Sequence, residues 1–171
     1  IKEIKNILDS KLIDEIGITE ELKMINCLES NGTSNIFCEC DKNEFSWLYI
    51  PEEEYKAHRI IMIGNFSKNN NSPIINAQRS TCVVEFSGSL ASKEVRKELN
   101  KLPFNLKPIE TNFCEESYII NNFDSRKAIN SLDKKLKNYN IHICGRFAEW
   151  KYYNIDDCIM SAMNVCNNII I

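Results

Sequence analysis

Glycine is scarce in this sequence, five residues in 171, and none falls in a G-x-G-x-x-G or G-x-x-x-x-G-K-[ST] pattern. The chain therefore carries no self-contained phosphate cradle of the dinucleotide or P-loop type, both of which need glycine where backbone N–H groups approach a pyrophosphate. Histidine is scarcer still, with His58 and His142 alone, and the closely spaced cysteines are Cys38 and Cys40, so a zinc centre lacks its ligand set. No metal site is expected. Clustered positive charge is missing too: Lys and Arg total 21 against 24 Asp and Glu, a formal charge of −3, with no run of five basic residues. That argues against a phosphate-backbone binder and against nucleic acid as a partner. No segment approaches the roughly 18 to 20 consecutive apolar residues that span a bilayer, and Ile1 to Asn6 show no signal-peptide pattern. A cytoplasmic protein with no membrane span is expected.

What remains is ordinary globular material, 43% apolar and 26% charged, and 171 residues suffice for a single domain over 1–171. The eight cysteines sit mostly in apolar runs, where a thiol behaves as a small hydrophobe, so buried free thiols are expected rather than a disulfide framework. Ile1, Ile4, Leu8, Leu12 and Ile16 form one apolar stripe, predicting a helix that Gly17 stops, and Thr19 is placed to cap a second carrying Leu22, Ile25 and Leu28. The period then becomes two. Ile36 to Cys40 and Phe45 to Ile50 read as a hairpin, Arg59 to Ile63 as a third strand and Thr81 to Phe86 as a fourth. Ser67 to Ser72 read as a polar loop. Ser92 is placed to cap a helix lined by Val95, Leu99 and Leu102, and Lys107 to Asn121 is β-prone. Asp124 or Ser125 starts a helix with Ala128, Ile129, Leu132 and Leu136 inward. Ile141 to Cys144 reads as a short buried strand, and Asn154 caps a last helix whose stripe is Ile155, Ile159, Ala162, Met163 and Cys166. This order predicts an α+β fold, an antiparallel sheet with flanking helices and a C-terminal strand-loop-helix.

The chemically informative stretch is Gly145 to Asp157, where a strand end leads through an aromatic-rich loop to a helix start. Helix-start N–H groups offer hydrogen bonds and partial positive charge, Arg146 a planar fork, and Trp150, Tyr152 and Tyr153 flat faces and hydroxyls. The same residues would serve equally as a lid on the core, with Asp156 and Asp157 merely complementing the helix dipole. The residues alone leave both readings open.

The run GRFAEWKYYNIDDCIMSA resembles the C-terminal flavin-contacting segment of the UDP-galactopyranose mutase and amine oxidase or protoporphyrinogen oxidase-like flavoproteins, with a pattern like G-R-[FLY]-x-x-[WY]-x-Y-x-[ND]-[MI]-[DH]. The stretch NGTSNIFCECDKNEFSWLYIPEEEYKAHRIIMIGNFS, followed by STCVVEFSG, is similar to substrate-domain strands of relatives linked to surface-polysaccharide biosynthesis. The resemblance covers Leu22 to Cys166. It implies a substrate-binding sheet over about 33–121 and a flavin-contacting segment over about 141–168. It also implies FAD held by Gly145, Arg146, Trp150, Tyr152, Asn154, Ile155 and Asp156, and a nucleotide-sugar substrate contacted by Arg59, Tyr118 and Tyr152. Ile155 stands where methionine is usual, and Ile119 replaces the proline of a family Tyr-Pro-[IV] turn at Tyr118. The resemblance places no catalytic base. With no Gly-rich loop in the sequence, the implied protein is a substrate-binding and flavin-capping part that is inactive by itself and partners an FAD-binding domain or chain. The alternative is a non-catalytic interaction domain that kept the fold and lost the flavin. Orphaned apolar surface on the last helix and on Ile169 to Ile171 would favour self-association or a partner chain.

Overall fold

The structure, a computed structural model, describes residues 1–71 and 78–169. Ser72 of the expected polar loop and Ile170 and Ile171 of the apolar tail lie outside the described residues. The chain divides into two compact units, one made of Ile1–Ser30 with Tyr118 onward, the other of Asn31–Ser117.

The second unit is built on a sheet of five strands: β1 Ser30–Asp41, β2 Trp47–Tyr49, β3 Ala57–Ile61, β4 Arg79–Ser87 and β5 Lys107–Ile119, in the spatial order β2-β3-β4-β1-β5. The pairs β2 with β3, β3 with β4 and β4 with β1 are antiparallel, so the α+β class expected from the sequence holds. The expected hairpin between the first two strands does not form: β1 pairs with β4, and β2 with β3. Alternation in a sequence sets which face a side chain takes, not which strand lies beside it. On one face Ile36, Cys38, Cys40, Ile60, Cys82, Val84 and Phe86 are buried with Val95 and Leu99 of α5 (Ser92–Leu99) and with Leu102. Ser92 is the first helical residue of α5, with Ala91 as N-cap and no side-chain cap. Between β3 and β4, Gly64 sits in the one-turn helix α4 (Ile63–Phe66), so the third strand ends earlier than its sequence suggests.

The first unit is helical. The expected first helix is two, α1 Ile4–Ile7 and α2 Ser10–Ile16, because Asp9 accepts a bond from the Leu12 N–H at 2.8 Å and restarts the helix as its cap. Gly17 ends α2 at φ +70°, and α3 spans Thr19–Ile25 with Ile18, not Thr19, as N-cap. Helix α6, Phe123–Lys137, starts from a capping box between Asn122 and Ser125 and buries Ala128, Ile129, Leu132 and Leu136. These pack with Ile16, Ile18, Ile25, Leu28 and Trp150 into a second core. Residues 141–144 form no strand; the Ile141 N–H closes the end of α6 on Leu136 O at 3.1 Å. The C-terminal part is therefore loop and helix, with α7 over Ile155–Ile169 and none of its residues buried. Three of the eight cysteines are buried, Cys38, Cys40 and Cys82, and all eight are free thiols. Cys27, Cys114, Cys144 and Cys166 are exposed, because the runs that carry them do not face either core.

A Cβ at Gly64 would lie 2.8 Å from the Thr81 backbone nitrogen and 2.3 Å from both Asn71 Oδ1 and Ser80 Oγ. Gly64→Ala should therefore destabilise the protein by about 1–3 kcal/mol, read as a lowered midpoint in urea denaturation followed by circular dichroism.

Candidate cofactor and substrate sites

In the first unit the chain leaves α6, passes His142 and turns at Gly145, whose φ of +87° is left-handed. A Cβ there would meet nothing within 4 Å, so the backbone angle rather than space favours glycine. Trp150 also has positive φ, +50°. Arg126 of α6 secures this turn by donating to Glu149 O at 2.9 Å and Trp150 O at 2.5 Å. The Trp150 ring is buried in the core and its indole N–H donates to Ile120 O at 3.2 Å, so ring and donor are both engaged within the unit. Arg126 also donates to Asn121 Oδ1 at 3.1 Å, but no local sequence signal marks its anchoring role, since the two carbonyls it holds lie over twenty residues away.

Glu149 is the second anchor. Its carboxylate accepts from Gly145 N–H at 3.2 Å, Lys151 Nζ at 2.9 Å and Ser161 Oγ of α7. Burial alone would push its pKa up, but the bonds from Ser161 and Lys151, the Lys151 charge and the Gly145 N–H outweigh that and hold it below its ordinary value. Lys151 is correspondingly raised, first by its bond to Tyr153 Oη and then by Glu149. Glu149, Lys151, Tyr153 and Ser161, with Arg126 and His142, line an open groove of about 670 Å³ that no local sequence pattern marks.

Three of the expected site residues come together at Arg146. Its guanidinium lies 4.5 Å from the Tyr152 ring centroid, 5.4 Å from Tyr118 and 5.6 Å from Phe147, and it donates to Tyr153 O at 3.2 Å. The Tyr118 and Tyr152 rings stack at 6.0 Å and 14°. Contacts of this kind contribute roughly 0.5–1 kcal/mol each at exposed sites, so Arg146 is held in place. Gly145, Arg146, Asn154 and Ile155 line a second groove, about 760 Å³, with Phe147 and Ile159. Asp156 is exposed on the first turn of α7. The Asn154 N–H donates to Asp157 Oδ2 at 3.0 Å, and Asn154 O receives the Cys158 N–H at 3.1 Å. The Asp157 carboxylate therefore lies on the helix start that an anionic ligand would otherwise use.

Arg59 belongs to the second unit. There it pairs with Glu85 Oε2 at 2.5 Å and lies 5.1 Å from the Trp47 ring, while His58 Nε2 meets Glu85 Oε1 at 2.6 Å. The β3–β4 register is irregular between Ala57 and Arg59. That irregularity turns the side chains of two successive residues to one carboxylate, which a regular strand would keep on opposite faces. Among the described residues no group of three His, Cys, Asp or Glu side chains could hold a metal ion, and no helix is long and apolar enough to cross a membrane.

No protein-family model and no curated protein matches the chain. Solved structures do. A reduced UDP-galactopyranose mutase superposes with a TM-score of 0.71 at 17% identity, covering 87% of this chain and 35% of its own. A protein described as a protoporphyrinogen oxidase, from Exiguobacterium sp. 255-15, superposes at 0.58 and 12% identity, covering 93% and 38%. The likeness is one of fold. In this mutase-like fold the chain spans little more than a third of the length of either structure.

Because the fold holds Glu149 below its ordinary value of 4.5, the stability it contributes is present above that pH and is lost as pH falls through the lower folded value. Glu149→Gln should cost about 1–3 kcal/mol at pH 7 and much less at pH 3. Urea denaturation at both values reads this, and an equal loss at both would place the contribution elsewhere.

Proposed function

We propose that the chain is the substrate-binding and flavin-capping part of an FAD-dependent oxidoreductase or sugar-nucleotide mutase-like enzyme, acting in surface-polysaccharide biosynthesis. The observation that carries this reading is the superposition of 87% of the chain on a reduced UDP-galactopyranose mutase, joined to the groove beside Arg146. That groove has a backbone turn without a side chain at Gly145, one fixed cation, and a wall of Phe147, Ile155 and Ile159. A flavin ring is planar and largely apolar with a polar edge, and these residues fit it. They do not fit the pyrophosphate end: the sequence contains no Gly-rich loop, and Asp157 caps the Asn154 N–H. The ADP end would rest on a partner domain or chain that carries such a loop. The exposed face of α7, with Ile155, Ile159 and Met163, is apolar enough to receive it.

When bound, FAD supplies the redox or covalent chemistry. The residues of this chain then bind and orient: Arg146 presents a fixed positive charge, Tyr118 and Tyr152 hold it, and Ile155 excludes water. On the substrate side, Arg59 suits a diphosphate, which would compete with Glu85 for its guanidinium. A flavin-free interaction module is the second reading, favoured by the carboxylate on the helix start.

The test is a titration of FAD with the chain, followed by flavin fluorescence, alone and then with a Gly-rich partner chain. Saturable binding weakened about tenfold or more in Arg146→Ala supports the flavin-capping reading. No binding with or without the partner supports the interaction module.

A further inference from the structure

We propose that β5 is a self-association edge, and that two copies of this chain pair their β5 strands antiparallel about Thr111, continuing the sheet across a two-fold axis. The proposal goes beyond the flavin reading and does not rest on it. In the sheet order β5 is last, with β1 on one side and no strand on the other among the described residues. The strand is 13 residues long, and its first nine, Lys107 to Glu115, are all exposed, with Ile109 at 60% and Phe113 at 50%. A long open edge that carries exposed apolar side chains is a template for another strand.

The occupant follows from the strand's own sequence. Antiparallel pairing about Thr111 sets Lys107 opposite Glu115 and Ile109 opposite Phe113, each pair formed twice by symmetry, and Thr111 opposite its own copy on the axis. Strand alternation puts all five residues on one face, so charge meets opposite charge and apolar meets apolar. Neither Lys107 nor Glu115 has an ion-pair partner within the chain among the described residues, so both charges are available to a second copy. The backbone agrees. The Thr111 N–H is capped by the neighbouring Glu110 Oε1 at 3.0 Å rather than by a strand, which marks it as a donor on the open edge. Alternation then sets the N–H groups of Ile109 and Phe113 outward as well, while Pro108, which has none, falls in the other set. The pairing therefore loses no bond to the proline.

Sedimentation velocity over a concentration series of the 171-residue chain tests the idea with Lys107→Glu and Glu115→Lys. These exposed changes leave both cores untouched, and circular dichroism checks the fold. The chain should dimerise, each single variant should raise the dimer Kd about tenfold or more, and an equimolar mixture of the two should regain the original affinity because the reversed charges then match. The double variant should dimerise like the parent. A monomer up to the solubility limit, a dimer indifferent to both single changes, or a mixture no tighter than its components would each overturn the proposal.

Discussion

The loop from Gly145 to Tyr153 has no repeating hydrogen-bond ladder of its own, and two charged side chains tie it to the helices on either side. Arg126 donates to the Glu149 and Trp150 carbonyls where Trp150 takes a left-handed backbone, and Glu149 accepts from the Gly145 N–H, the Lys151 ammonium and the Ser161 hydroxyl. Both are charge-assisted arrangements, stronger than neutral ones. They join α6, the loop and, through Ser161, the middle of α7, which helps hold Arg146 at a defined place beside its tyrosines. Both anchors act beside the buried Trp150 ring and the loop's own backbone bonds, Glu149 N–H to Gly145 O at 2.9 Å and Lys151 N–H to Arg146 O at 3.0 Å.

In the second unit the constraint is different. One sheet face is filled by thiols and aliphatic side chains from β1, β3 and β4 together with α5, and register follows from that burial because a one-residue slip would expose the whole set. The polar pairing of Arg59 and His58 with the buried Glu85 rides on the same register. Its carboxylate is compensated on both oxygens, which offsets the desolvation of a charge that is nearly fully buried.

Much of this was legible in the residues. The stripe of α6 reads directly from Ala128, Ile129, Leu132 and Leu136, and the burial of Val95, Leu99 and Leu102 from their spacing. The resemblance named Arg146, Tyr118 and Tyr152 but assigned Arg146 to the cofactor and Tyr118 to the substrate; their clustering was not legible, since Tyr118 is far from the other two in sequence. Local rules misled where tertiary forces compete. Asp9 cut one apparent helix into two, Ile141 closed a helix end and the stretch to Cys144 formed no strand, and an apparent hairpin gave its partners to other strands. Four cysteines in apolar runs proved exposed, because an apolar neighbour in sequence need not face a core.

The sequence by itself determined the α+β class, the period of most elements, the faces they bury and the lack of a glycine-rich phosphate loop, because each is set by residues a few positions apart. Strand order, the left-handed turn at Trp150, the anchoring roles of Arg126 and Glu149 and the exposure of α7 were decided only by the tertiary structure. The physical reason is range. Periodicity and capping are enforced by neighbours along the chain, whereas a guanidinium finds a carbonyl, and a strand its partner, only after the cores have formed.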